Sequence, residues 1–254
     1  MSAVLENQVA IVTGAGQGLG RTFALRFAQE GAALLLADIN LDNVEQTARQ
    51  IEEKGGRAVA VQVDISKEQD AKLMADEVIA RYGQVDILFN NAANTQGVGS
   101  TPWDAWTVEA WDRIFAVNAR GTWLCCKAIA PLMTQRGKGK IINMASDIFK
   151  LPGAQMGLAY ACSKAAICTL TQTLARVLGP SGVCVNAIAP GLTATESAVQ
   201  QTAREAFEAT LALQSIKRRE EPADLEGTAV FLASSASDFI TGQVIIVDGG
   251  ALMQ

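Results

Sequence analysis

The stretch VAIVTGAGQGLG, residues 9–20, joins an apolar, β-branched run to four closely spaced glycines, and RTFALRFAQ after it continues with helical periodicity. Strand, glycine loop and helix in that order bring backbone to where it can approach a pyrophosphate. The helix start there offers unpaired N–H groups to the anion. Asp38 ends the next apolar run, AALLLAD, 18 residues beyond Gly20. That is near the spacing at which a carboxylate accepts hydrogen bonds from the adenosine ribose hydroxyls and repels a 2′-phosphate. The same side chain could instead cap the helix that follows. Arg21 falls inside the first helix and Gln17 in the loop is neutral, so the sequence favours NAD over NADP.

Outward from this unit the same rhythm repeats. Strands are predicted at 9–14, 32–38, 58–64, 85–93, 140–146, 183–190 and 243–250. Helices are predicted from about Leu19 to Gln29, Asp42 to Lys54, Glu68 to Tyr82, Val108 to Arg136, Gln155 to Leu178 and Pro222 to Ser234. Seven near-continuous apolar strands alternating with helices imply an α/β fold: one doubly wound Rossmann-type domain over residues 1–254, its parallel sheet covered by helices on both faces. One long irregular section, about 191–215, interrupts the rhythm with an amphipathic segment over about Glu196 to Leu213 and is expected to act as a lid.

The 21 Lys and Arg against 26 Asp and Glu give no basic field for nucleic acid or an anionic membrane. The N-terminus lacks a secretory pattern and no apolar run approaches 18 residues, so a soluble cytoplasmic protein is expected. Cys125, Cys126, Cys162, Cys168 and Cys184 have no C-x-x-C spacing and read as core packing. With no histidine in the chain, no metal site is expected.

Any proton transfer must therefore use something other than histidine. Tyr160 and Lys164, in YACSK, are four residues apart in a predicted helix and share a face. A phenol ionises near pH ~10, and an adjacent ammonium lowers that value. Oxidised nicotinamide would add a second positive charge, making Tyr160 a base for an alcohol proton. Tyr82, in RYGQVD, reads as packing at a helix end.

Written as Thr-Gly-x-x-x-Gly-x-Gly, the loop resembles that of the short-chain dehydrogenase/reductase family. NNAA (90–93), VNARG with Asn118, INMAS with Ser146, YACSK, NAIAPG with Thr193, and TGQVIIVDGG extend the likeness over roughly residues 7–250. Ala93 stands where the family has glycine. The resemblance implies a catalytic set of Asn118, Ser146, Tyr160 and Lys164: Ser146 bonds the substrate oxygen, Asn118 holds a water linking the lysine to solvent, and Lys164 also binds the nicotinamide ribose. It implies cofactor contacts at Gly14, Gln17, Gly18, Leu19, Gly20, Asp38, Asp64, Ile65, Asn90, Tyr160, Lys164 and Thr193, and a homotetramer. Substrate contacts are expected at Gln96, Trp103, Ile148, Gln155 and Leu192.

The tryptophans of NTQGVGSTPWDAWTVEAW could wall an apolar pocket or pack the long helix against a neighbour. Lys150 could meet an anionic group or water. Three functions fit these residues: NAD-dependent oxidation of a secondary alcohol or reduction of its ketone, NADPH-dependent reduction of carrier-bound 3-oxoacyl groups, and nucleotide sensing without catalysis. Asp38 speaks against the second, and the presence of Tyr160 and Lys164 against the third.

Overall fold

The computed structural model describes residues 3–98, 101–150 and 157–253. Strands β1 (Val9–Thr13), β2 (Ala33–Asp38), β3 (Arg57–Gln62), β4 (Ile87–Asn90), β5 (Gly139–Met144), β6 (Val183–Pro190) and β7 (Val244–Val247) pair in parallel in the order β3-β2-β1-β4-β5-β6-β7. Between and after them run α1 (Gly18–Gln29), α2 (Leu41–Glu52), α3 (Glu68–Tyr82), α4 (Val108–Phe115), α5 (Thr122–Arg136), α6 (Leu158–Leu178), α7 (Glu196–Gln201), α8 (Arg204–Leu213) and α9 (Pro222–Ala233).

Because strand side chains alternate between faces, each apolar run feeds two cores at once. Val12, Leu34, Leu36 and Phe89 pack with Phe23 and Phe27 of α1 and Leu225 of α9. Ile11, Leu35, Leu88 and Ile141 pack on the other side with Met74 of α3 and Cys125, Cys126 and Met133 of α5. Cys125, Cys126 and Cys168 are buried, as core packing requires, while Cys162 and Cys184 are half-buried. Burial pushes the Cys126 thiol up to about 12 and Cys168 to about 11, values that make unreactive thiols. Tyr82 is indeed a helix-end packing residue, donating its phenol to the Leu34 carbonyl at 2.9 Å.

Three elements depart from the sequence prediction. Strand β4 stops at Asn90 rather than residue 93, because the Asn91 and Ala92 N–H groups turn to the Thr13 hydroxyl, at 3.1 Å each. The predicted long helix keeps its path but contains a π-helical turn, Ala116–Gly121, between α4 and α5. The Thr122 hydroxyl donates to the Asn118 carbonyl at 2.8 Å within this turn, and Gly121 closes against Ile65. The amphipathic stretch after β6 is two helices, broken where Thr202 is extended (φ −102°, ψ 129°). The predicted start of α6 at Gln155 lies outside the described residues. No helix among those described is long and apolar enough to cross a membrane.

Phe89 links core to function, since its ring centroid lies 4.6 Å from Phe23 and 5.5 Å from Phe27, just before the Asn90–Asn91 turn. Phe89→Ala is expected to lower unfolding free energy by about 3–5 kcal/mol in urea titrations, the range for truncating a fully buried aromatic. A loss below about 1 kcal/mol would mean that this core does not hold the turn.

Candidate active site

The strand order reverses between β1 and β4, which opens a crevice beyond their C-terminal ends. The glycine loop lies there. Gly20 has no room for a side chain, because a Cβ would collide with the Gly14 carbonyl oxygen. Gly18 adopts φ +52° and faces open space, with nothing nearer than Thr195 at 3.9 Å. Gln17 caps α1 without giving it a side-chain acceptor, so the first-turn N–H groups at Gly18, Leu19 and Gly20 are left for an external anion. That donor set, in that open cradle, fits a dinucleotide pyrophosphate.

Asn91 fastens the loop, donating from Nδ2 to the Thr13 and Gly14 carbonyls at 3.1 and 3.2 Å. It stands within the NNAA motif, yet the sequence assigned it no role. Asp38 accepts the Gly16 N–H at 2.8 Å and the Asn40 N–H at 2.9 Å. A carboxylate has about four acceptor positions, so capacity remains for a ribose. The cap of α2 is Asn40, which accepts the Asn43 N–H at 3.1 Å, and not Asp38. Arg21 is turned back onto the Gly16 carbonyl and the Thr47 hydroxyl. Asp64 binds Ser66 at 3.0 Å through its N–H and at 2.7 Å through its hydroxyl. Ile65 is buried against Gly121. Asn90 donates to Asn143 Oδ1 at 2.9 Å.

Two further elements meet beyond β5. Ser146 follows β5, and Tyr160 lies in the first turn of α6. Lys164 Nζ donates to the Met144 carbonyl at 2.6 Å and sits 5.4 Å from the Tyr160 ring centroid. Asn118, carried by the π turn, accepts the Asn94 N–H at 2.7 Å and donates to the Asn94 carbonyl at 3.1 Å and to Ser163 Oγ at 3.0 Å. Ser163 in turn donates to the Tyr160 carbonyl at 2.7 Å. The fold thus brings Asn118, Ser146, Tyr160 and Lys164 to one edge.

The electrostatics of this edge correct one expectation. Burial, and then the Asp147 carboxylate, push the Tyr160 phenol above its ordinary value, while the neighbouring Ser146 hydroxyl only partly offsets them. Lys164 does not dominate, because its short bond goes to a backbone carbonyl and burial pushes its ammonium down to about 8. Burial and Asp248 raise Asp147 to about 6, and burial raises Glu220 to about 7 against its hydrogen bonds from Thr193 and Gly191. Neither acid was singled out from the sequence. Their positions carry no local signal, and they become neighbours only when the end of β5 meets the segment before α9.

The expected substrate residues have different surroundings. Ile148 Cδ1 and Val98 Cγ1 lie 3.4 and 3.7 Å from the Cβ position of Gly157, at the entrance to α6. Leu192 is half-buried beside Thr193, and Gln96 is exposed on the rim of a cavity that Trp106 also lines. Trp103 is 72% exposed, whereas Trp111 stacks on Phe115 with ring centroids 5.0 Å apart. Gln155 lies outside the described residues. Lys150 is exposed, over the Phe149 ring at 5.6 Å.

A family model described as enoyl-(acyl carrier protein) reductase matches residues 14–251. The short-chain dehydrogenase/reductase EriH of Hericium erinaceus is 36% identical over 249 residues, covering 96% of this chain and 97% of that protein. A solved 7α-hydroxysteroid dehydrogenase complexed with NADH and 7-oxo-glycochenodeoxycholic acid matches with a TM-score of 0.92 and 32% identity, covering 100% of this chain and 97% of the other. A structure described as a gluconate 5-dehydrogenase of Beutenbergia cavernae, with NADP bound at low occupancy, matches at TM-score 0.90 and 35% identity, covering 99% of each chain.

The raised acids make the ligand-free protein sensitive to pH. A carboxyl whose folded pKa lies above its unfolded value binds more protons when folded. Its contribution is complete below the ordinary carboxylate range, pH ~4, and is lost as pH rises through the folded values of about 6 for Asp147 and about 7 for Glu220. Stability is expected to fall by on the order of 2 kcal/mol between pH ~4.5 and ~8, with a flatter profile in Asp147→Asn/Glu220→Gln. Identical profiles in urea titrations would place these acids in a less buried setting.

Proposed function

The chain belongs to the short-chain dehydrogenase/reductase family of oxidoreductases, and from that footing we propose that it transfers a hydride between a secondary alcohol, or its ketone, and NAD. The observation that carries this proposal is the meeting of Ser146, Tyr160 and Lys164 at the sheet edge that also holds the glycine loop. The whole chain would act as one dinucleotide-binding catalytic unit.

Bound NAD supplies the hydride acceptor, and NADH the donor. Tyr160 accepts the alcohol proton in oxidation and returns it in reduction. Burial and Asp147 hold the free phenol protonated, so we assign the basic form of Tyr160 to the coenzyme-bound protein, where a second positive charge joins Lys164. The Ser146 hydroxyl, beside the phenol, donates to the substrate oxygen and steadies the charge that develops there. Lys164 binds the ribose and supports the phenolate. Asn118, with its amide shared between Asn94 and Ser163, keeps the loop after β4 in register with α6, besides the water-holding role that the family resemblance gives it.

Asp38 supports NAD over NADP, since a carboxylate with spare acceptor capacity suits a ribose diol and repels a 2′-phosphate. Arg21, committed to Gly16 and Thr47, is not positioned to offset that repulsion. Val98 and Ile148 favour a substrate with an apolar flank beside its reacting carbon, and α7 with α8 would cover it. Exposed Trp123 on α5, Val177 on α6 and Phe239 before β7 support an oligomer, which we propose to be a homotetramer.

A screen of secondary alcohols and ketones with both coenzymes, following reduced-nicotinamide absorbance, tests the reaction. Tyr160→Phe is expected to lower turnover at least about a hundredfold, with coenzyme affinity little changed. Lys164→Ala is expected to damage both. Near-normal turnover in Tyr160→Phe would refute the proton path, and equal or better use of NADP by the unmodified chain would refute the role of Asp38. In sedimentation at micromolar concentration a species larger than a dimer is expected, and a monomer would overturn the assembly.

A further inference from the structure

Glu220 lies just ahead of α9, outside every motif quoted above, and is 4% exposed. Its main chain already anchors the segment after β6: Thr193 and Glu220 form a parallel bridge, and the Ala194 N–H donates to the Glu220 carbonyl at 2.7 Å. Its side chain does something separate. Oε1 accepts the Thr193 hydroxyl at 2.6 Å and Oε2 accepts the Gly191 N–H at 3.1 Å. A hydroxyl that donates to a carboxylate presents only lone pairs elsewhere, whereas one that accepts a proton from a neutral carboxyl has its own proton free to donate.

We infer that Glu220 is a positioning residue for the coenzyme: its ionised carboxylate fixes Thr193 as a hydrogen-bond acceptor toward an amide N–H such as that of the nicotinamide carboxamide, and so couples coenzyme binding to loss of a proton. This inference rests on the proposed coenzyme role of Thr193. The proton leaves the Glu220 carboxyl for solvent and no other bond changes.

Among the described residues no cation pairs with the carboxylate. Asp147 faces it across Gly191, where both carboxylates approach the Cβ position, and Asp248 lies beside the same glycine. From the start of α9 come Glu221, which is exposed, and Asp224. Arg218, the nearby cation, spends its guanidinium on Asp224 in two bonds of 2.6 Å each. The Glu220 carboxyl, raised to about 7, is therefore poised where a positively charged ring arriving nearby tips it to the ionised form. Reduced nicotinamide, without that charge, tips it less.

Calorimetric titration in buffers of different ionisation enthalpy reads the coupling directly. NAD binding to the unmodified chain is expected to release a fraction of a proton near pH ~7 and to tighten as pH rises from ~6 to ~8, with NADH showing less of both. Glu220→Gln should lower the release near pH ~7 and flatten the pH dependence, leaving the parts due to Tyr160 and Asp147, while keeping affinity within about tenfold, because an amide can accept from Gly191 and donate to Thr193. Tyr160→Phe should keep the Glu220-dependent part of the release, and Tyr160→Phe/Glu220→Gln should lose it, which separates Glu220 from the phenol. Thr193→Val, of matching shape without the hydroxyl, should bind about tenfold more weakly with less release, and it decides the matter should Glu220→Gln not fold.

Release near pH ~7 that Glu220→Gln leaves unchanged in the Tyr160→Phe background, or that is lost entirely in Tyr160→Phe alone, overturns the inference. Binding of NADP but not NAD, with the same Glu220-dependent release, would overturn the NAD assignment and leave the inference standing. Binding of neither would overturn both.

Discussion

Buried ionisable groups without opposite charges to match them dominate the C-terminal edge of the sheet. Asp147 and Glu220 are 5% and 4% exposed, Lys164 is 3% exposed, and Tyr160 sits among them. Each is driven toward its neutral form: the acids and the phenol upward, the ammonium downward. Burial of a lone charge is costly, so the site without coenzyme settles by holding or shedding protons. An added positive charge acts on all of these groups in concert. On the proposed function, coenzyme binding would thus do more than deliver a redox partner, since it would also create the charge state in which Tyr160 can act as a base.

The scaffold supports this by fixing backbone with side-chain amides and one backbone bridge. The reversal of strand order puts the ends of β1 and β4 side by side, and Asn91 ties them together through the Thr13 and Gly14 carbonyls. The π turn sets the buried Asn118 between Asn94 and Ser163, joining the segment after β4 to α6. A regular helix would advance one residue fewer in that turn and rotate the amide away from one of its partners. The bridge from Thr193 to Glu220 joins the segment after β6 to that before α9. Asn91, Asn118 and Glu220 are satisfied by neighbouring elements at these junctions, which leaves the glycine loop and the Tyr160 edge open to ligands.

What the sequence disclosed follows from how local each signal is. The strands and most helices were legible because side-chain alternation and helical periodicity are written into a few neighbouring residues, and α3 and β6 fell where predicted. The glycine loop and the Tyr160–Lys164 spacing were legible for the same reason. The π turn was not, because its apolar pattern runs on from α4 into α5 without a break. Nor was the elevation of the Tyr160 phenol, which depends on Asp147 and on depth, both properties of the assembled edge. Of three tryptophans that could have walled a pocket, Trp103 points to solvent and Trp111 stacks on its own helix. Composition could not make that distinction.

The central claim is that Tyr160 becomes a base only when coenzyme is bound, and the chain permits a direct measurement because it holds just two tyrosines. Burial pushes the other, Tyr82, upward too, so it stays silent at neutral pH. Phenolate ultraviolet absorbance should be followed against pH with and without NAD, in the unmodified protein and in Tyr160→Phe. No phenolate is expected below pH ~10 in the free protein, and one in the neutral to mildly alkaline range in the NAD complex, missing from Tyr160→Phe. A phenolate signal that NAD leaves unmoved, or that survives Tyr160→Phe, would contradict the claim.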